Sequence, residues 1–388
     1  MILLTLWIER RLVRPLGPQG RYSLRAFLVV GLTIIIGYQP LRRSDAFRGF
    51  AELSWVPWLA YSLMGLWFSV GAYFIFGETF LLIKSALERF RARKKLLSPK
   101  DSVDQTRRDL FTRAPQFAAL AGVSATGAGL AEAVSGPNVK MVSIFDPRVS
   151  PEHDGLKILQ ISDLHVGPTI KREYVEKVVE AVNSTEADII CITGDMVDGS
   201  VSSLKYHTAP LENLKSKHGL FYCSGNHEYF YNIDSWLEYF RSINIQVLEN
   251  QHQVIEVNGA PLVIAGVRDY SCKRFRPDHE SSAMDALRNA PKDVFKILLA
   301  HQPKSCFDVF EAGANLMLSG HTHAGQFFPF SMFISLFHPY SKGLNLHKDM
   351  WVYVNQATGY WGPPNRLGVP AEITHITLKH SESRRYEA

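Results

Sequence analysis

The 388-residue chain holds only four cysteines, Cys191, Cys223, Cys272 and Cys306, and no two of them form a CxxC pair. This argues against a thiolate-rich structural zinc site, and nothing requires a disulfide framework. Cys191 in "DIICITGD" and Cys223 in "GLFYCSGNHE" sit in apolar runs and are expected as small core residues. Internal repeats and low-complexity tracts are missing too, which leaves a packed globular chain and not a repeat array or a disordered tail. Histidine is absent from the first 152 residues, and all 14 histidines follow. Acidic charge is scarce in the same region: residues 1–113 carry 18 Lys and Arg against 8 Asp and Glu. Since the net charge of the whole is +5, the remaining 275 residues sum to −5. The positive charges of the first third flank apolar runs instead of forming one polar patch, which argues against a nucleic-acid partner.

What the first third does have is long apolar runs. "LRAFLVVGLTIIIGYQPL" (24–41) and "LSWVPWLAYSLMGLWFSVGAYFIFGETFLLI" (53–83) are expected as two transmembrane helices within a membrane region at 1–100. Four arginines (10, 11, 14 and 21) precede the first run and Arg25 lies at its start, and a Lys/Arg cluster from Lys84 to Lys95 follows the second. Both flanks then lie on the cytoplasmic side by the positive-inside rule. Residues 101–150 read as a twin-arginine-like apolar segment and a linker. Arg107-Arg108 lead into an Ala- and Gly-rich stretch closing on Ala131-Glu132-Ala133, the pattern of an export signal placed internally. Exported, the remaining domain faces away from the cytoplasm of a bacterial inner membrane; the other reading is a cytoplasmic linker.

From residue 151 to 388 short apolar runs alternate with amphipathic helical patterns, which predicts an α/β domain with buried strands. The runs at 156–162, 188–193, 219–224, 295–300 and 315–319 each lead into polar residues of metal-ligand type. These are Asp163 and His165, then Asp195 and Asp198 in "GDMVD", then Asn226, His227 and Glu228 in "GNHE", then His301, then His321 and His323 in "GHTH". Ligands of α/β sheets bind beyond the carboxyl ends of strands, so five strands would deliver these side chains to one rim. Gly194, Gly225 and Gly320 leave room for the sharp turns. Mixed carboxylate, amide and imidazole donors suit a pair of Mn, Fe or Zn ions better than calcium. His321 and His323 serve separate ions if the backbone kinks between them, although a regular strand would also point both to one face.

The order DxH, GDxxD, GNH[DE], H, GHxH resembles the calcineurin-like metallophosphoesterases over about residues 155–380. The likeness is closer to bacterial membrane-linked members with "GHTHGGQ", here "GHTHAGQ". The resemblance implies a four-layer α/β/β/α sandwich following the transmembrane helices. It implies Asp163, His165 and His323 on a first divalent metal, Asn226, His301 and His321 on a second, and Asp195 bridging both. His227 would face the substrate and stabilise or protonate the leaving group, oriented by Asp198. The implied activity is metal-dependent hydrolysis of a phosphomonoester, phosphodiester or pyrophosphate by a metal-activated hydroxide.

Departures narrow the substrate. Gly199-Ser200 stand where the protein phosphatases of the family have Arg-Gly, which argues against a phosphoprotein. No dense arginine cluster is present, though Arg268, Lys273, Arg274, Arg276 and Arg366 are available. The apolar insertion "FFPFSMFISLFHPYSKGL" (327–344) either covers the core or touches lipid, and in the second case the substrate is lipid-linked. Asp269 is a candidate support for the site or an ordinary turn residue. The remaining histidines, among them His207, His252 and His338, lack such context. A membrane-anchored metal-binding sensor without turnover is the alternative to an enzyme; His227 with Asp198 speaks against it, because metal binding alone needs neither.

Overall fold

The computed structural model of the chain describes residues 1–12, 16–44, 46–51, 53–94 and 105–387. The start of the expected linker, 101–104, lies outside them. Two units divide the chain, one of Met1–Ala131 with Gly362–Asn365 and one of Glu132–Trp361 with Arg366–Ala388.

Three helices in the described residues are long and apolar enough to cross a membrane: Pro18–Arg42, Trp55–Leu87 and Ala114–Ser135. The first two cover the expected runs. The third falls on the twin-arginine-like stretch, which the chain forms as one helix, Gln105–Ser135, with Pro115 inside it. An Ala- and Gly-rich stretch without charge between Arg113 and Glu132 has the length to span. Within the first unit a small core forms from Ile8, Leu28, Trp67, Val70 and Phe74. Trp67 Nε1 donates to Thr5 Oγ1 at 2.9 Å. Glu78, the one charge in the long run, meets Arg11 Nε at 2.7 Å. Val29, Val30, Leu82 and Ile83 remain exposed, as lipid-facing positions would.

The second unit is built on two sheets. The seven-stranded sheet runs, in spatial order, Arg385–Glu387, Asn138–Asp146, Glu372–His380, Lys157–Ile161, Ile189–Ile192, Leu220–Tyr222, Gln246–Val247. The last four are parallel to one another. The six-stranded sheet runs Gly343–His347, Met350–Val354, Leu316–Ser319, Lys296–Leu299, Ala260–Gly266, Gln251–Val257, parallel through its middle four. Strand Asn138–Asp146 pairs with Glu372–His380 along its whole length. The expected boundary at 151 thus falls inside the second unit, because this half-exposed strand reads as linker when seen without its partner.

Alternation along the strands builds the layers. Ile158, Ile189 and Phe221 of one sheet share a core with Ile297, Leu316 and Tyr353 of the other. Their neighbours Leu159, Ile190 and Tyr222 face the opposite way, onto helices Arg172–Asn183 and Ile233–Ser242. Leu298, Met317 and Val352 pack on the outer side of the second sheet against Ala283, Ala286 and Val309 of two short helices. The result is the α/β/β/α order. All four cysteines are free and buried.

Candidate metal centre

Five parallel strands end side by side, three from the first sheet and two from the second, and each hands its next residues to one rim. Beyond Ile161 the chain stays paired with the turn after Ile192: Asp163 N donates to Gly194 O, and His165 N to Asp195 O. Asp163, His165 and Asp195 all hold a left-handed backbone, with φ of 52, 51 and 52°. Asp and His tolerate this region better than most side chains, and it swings successive side chains off the pleat. His321 and His323 do the same, with φ of 70 and 49°. The backbone between the two histidines is therefore kinked, and their rings part. His323 Nε2 lies 3.1 Å from His165 Nε2, whereas His321 Nδ1 lies 3.2 Å from His301 Nε2.

Two separate clusters result. Asp163, His165 and His323 gather one ligand atom each within 4.8 Å; so do Asp195, His301 and His321, and a third group, His165, Asp195 and His227, overlaps both. Asp195 Oδ2 is 3.1 Å from His301 Nε2 and 4.0 Å from His165 Nε2, between the clusters. Asn226 opens the short helix Asn226–Phe230, and its Oδ1 is buried with no hydrogen-bond partner among the described residues. His227 and Asp198 sit alongside: His227 Nδ1 meets Asp198 Oδ1 at 2.5 Å, and its Nε2 is 3.8 Å from Asp195 Oδ2. All nine site residues expected from the sequence thus lie on this rim.

The donor set fits divalent cations. Asp163 and Asp195 are fully buried carboxylates that no lysine or arginine pairs among the described residues. Buried charge of that kind needs a counterion. Burial alone would raise both carboxyls, but His301 with His323 holds Asp163 below its ordinary value, and His301 with His227 does so for Asp195. Burial and the neighbouring His301 push His321 down to about 3, and burial lowers His323. Neutral imidazoles are the form that binds metal. Their outer nitrogens are engaged: His301 Nδ1 donates to Thr193 O at 2.7 Å, and His323 Nδ1 to Gln326 Oε1 at 3.1 Å. His323 thereby turns its Nε2 lone pair inward, whereas for His301 burial is outweighed by the Asp195 and Asp163 carboxylates, which raise its pKa, so a cation bound there would take the place of its Nε2 proton.

Several supporting residues have roles that sequence spacing does not assign. Glu228 accepts from the backbone N–H of Asp195, Met196 and Gly225 at 3.1, 2.7 and 2.8 Å, clamping two ligand loops together. Gln326 is fastened in turn, its Nε2 donating to Trp361 O and its Oε1 accepting from Trp361 N. Asp269 is fully buried and bound to Gln302, Ser271 and Ser224, a support behind His301 and not an ordinary turn residue. His338 lies beside the site, its ring centroid 5.4 Å from that of His321, contrary to its reading as a residue without context. Most of the free-looking cations are spoken for. Arg366 is fully buried and donates through Nη2 to the carbonyls of Gln356 and Pro370, while its Nε and Nη1 have no hydrogen-bond partner among the described residues. Arg276 pairs with Asp234 and Asp278, and Arg268 approaches Glu249.

Comparison with known proteins agrees with this geometry. Residues 156–325 match the family described as calcineurin-like phosphoesterase. A transmembrane protein with metallophosphoesterase domain from Bos taurus is 33% identical over 363 residues, covering 89% of this chain and 80% of that one. An uncharacterized metallophosphoesterase of Helicobacter pylori is 38% identical over 255 residues, and the match spans 64% of this chain and 66% of that protein. Among solved structures, the 5'-nucleotidase precursor from Thermus thermophilus is 14% identical with a TM-score of 0.38, covering 58% of this chain and 54% of that one. With its ligand order, its paired clusters and relatives matched over most of their length, the chain belongs to the calcineurin-like metallophosphoesterase family.

Proposed function

We propose that the protein is a membrane-anchored, dinuclear-metal-dependent phosphoesterase acting on a lipid-linked phosphate ester or pyrophosphate, with its catalytic domain on the extracytoplasmic side. The observation that carries the enzymatic reading is the His227–Asp198 pair set beside the two ligand clusters. Asp163, His165 and His323 would hold one cation, Asn226, His301 and His321 the other, with Asp195 between them. Two Mn, Fe or Zn ions bound there would supply Lewis acidity toward the phosphoryl oxygens and a hydroxide at neutral pH.

The rest is the chain's own work. Asp198 accepts the Nδ1 proton of His227 and so keeps Nε2 directed into the site. Burial disfavours a charged His227, but the Asp195 carboxylate and the bond to Asp198 outweigh it, raising its pKa to about 9. It therefore has a proton to give. As the phosphorus–oxygen bond breaks, the leaving oxygen takes that proton from Nε2, the hydroxyl of water ends on phosphorus, and a proton from the spent water restores His227. Phe230 and Trp361, with ring centroids 4.9 and 5.8 Å from His227, wall this side of the site against solvent.

The test is hydrolysis of p-nitrophenyl phosphate and bis-p-nitrophenyl phosphate by the purified chain with Mn²⁺. Turnover of either supports the reading, and their ratio separates monoesterase from diesterase. Bound metal without turnover of these or of lipid phosphates would favour the sensor instead. A reporter fused after residue 388 tests the side of the membrane.

A further inference from the structure

The insertion that follows the ligand-bearing turn presents two different faces. Residues 327–341 contain no Asp, Glu, Lys or Arg. The chain there forms two single turns, Phe330–Met332 and Ile334–Leu336, in which no residue is buried. Met332, Leu336 and Phe337 are 60, 75 and 67% exposed. Immediately afterwards the chain returns to the metal centre. His338 stands edge-on to His321, and its Nδ1 is buried with no hydrogen-bond partner among the described residues. Thus one segment of about a dozen residues carries large bare apolar side chains outward and an unsatisfied imidazole nitrogen inward. Its root is held to the other rim of the site, because Gln326 bonds Trp361 in both directions and Trp361 is itself 55% exposed.

Monomeric proteins rarely show water such a patch unless something covers it. Charge-free aromatic and aliphatic tips on a short loop suit the acyl boundary of a bilayer, where apolar side chains enter and polar groups stay at headgroup level. The three candidate spans bring this chain to a bilayer in any case. We propose that residues 327–340 are a lipid-facing recognition element. Met332, Leu336 and Phe337 enter the acyl layer, while the free nitrogen of His338 meets the phosphate group of the same lipid at the metal centre. The proposal rests on the lipid-ester reading above and gives its substrate class, a phosphate ester with acyl chains presented in a membrane.

The test uses the full chain in liposomes of phosphatidylethanolamine and phosphatidylglycerol. All four native cysteines are buried, so a Leu336→Cys variant takes a nitroxide label at one exposed place. Greater accessibility of that label to oxygen than to a water-soluble nickel chelate is expected. Greater accessibility to the chelate overturns the proposal, and so does spin–spin broadening, which would give the face to a second copy. The Leu336→Asp/Phe337→Asp double variant should lower the ratio of turnover on a diacyl phosphate ester to that on bis-p-nitrophenyl phosphate at least tenfold; an unchanged ratio overturns acyl recognition. If the metal-loaded wild type turns over neither, the catalytic reading falls and the substrate half of this proposal with it, and the label alone decides contact with the bilayer.

Discussion

At the residue scale, the division of labour around His227 gives a sharp expectation. Its Nδ1 is held by a carboxylate, Asp198, while its Nε2 stands off Asp195 by 3.8 Å. His227→Ala should retain its metal, measured by elemental analysis, and lose ~10²-fold or more in kcat, the scale of a general acid. Loss of both metals in that variant would refute the role. A protonated His227 also fixes the sign of the pH dependence. Activity should fall as pH rises through its pKa, which is about 9 without metal and lower once two cations sit beside it; the alkaline limb is read from kcat against pH. Gln326 acts one step further out, by accepting the Nδ1 proton of His323. Gln326→Ala should weaken metal binding by about 10–100-fold, the usual effect of removing such a support, in a titration that leaves His227 intact.

At the scale of elements, the site depends on how closely strand-end loops approach. A Cβ added at Gly320 would overlap Ser162 Oγ and Asp163 Oδ2, and one at Gly225 would overlap the Asp195 carboxylate. Gly320→Ala should therefore displace Asp163, lowering metal content and costing roughly 1–3 kcal/mol of stability, as overpacking does, in metal analysis and thermal unfolding. The loops were legible in the sequence for a simple reason: each follows a short, mostly apolar strand such as Ile189–Ile192 and breaks within a few residues into ligand-type side chains. Other elements left weaker signals. Asn138–Asp146 alternates exposed and buried positions and follows an apolar helix, so it passes for linker. Glu372–His380 buries Glu372, Thr374 and His375, which hides its place at the centre of a sheet. Gln326 and Glu228 stood in plain view within "GHTHAGQ" and "GNHE", but their roles lie in hydrogen bonds that cross between loops, and spacing alone does not encode them. His338 was invisible because the insertion's return to the site is a property of its turns, not of any motif.

At the scale of the whole second unit, the two ligand clusters that exclude His227 are each drawn from both sheets. Asp163 and His165 follow a strand of the seven-stranded sheet, and His323 follows one of the six-stranded sheet; Asp195 of the first meets His301 and His321 of the second. The sheets already share an apolar core, but at this rim they meet through buried carboxylates and imidazoles. Bound cations would therefore join the two sheets as well as activate water. A site occupied at 100 times its Kd stabilises the folded state by about 2.7 kcal/mol, and two sites do so together. Chelation should lower the unfolding midpoint and speed hydrogen exchange at Lys157–Ile161 and Leu316–Ser319, with the helices Pro18–Arg43 and Trp55–Lys94 unaffected. Readdition of Mn²⁺ should restore both. Acid should act as chelation does, because ligand imidazoles must be neutral to bind metal, and the metal-dependent part of the stability should vanish as they protonate. An unfolding midpoint and exchange pattern indifferent to chelation, in protein shown to have lost its metal, would mean that the apolar core alone holds the sheets and that the rim is only a site.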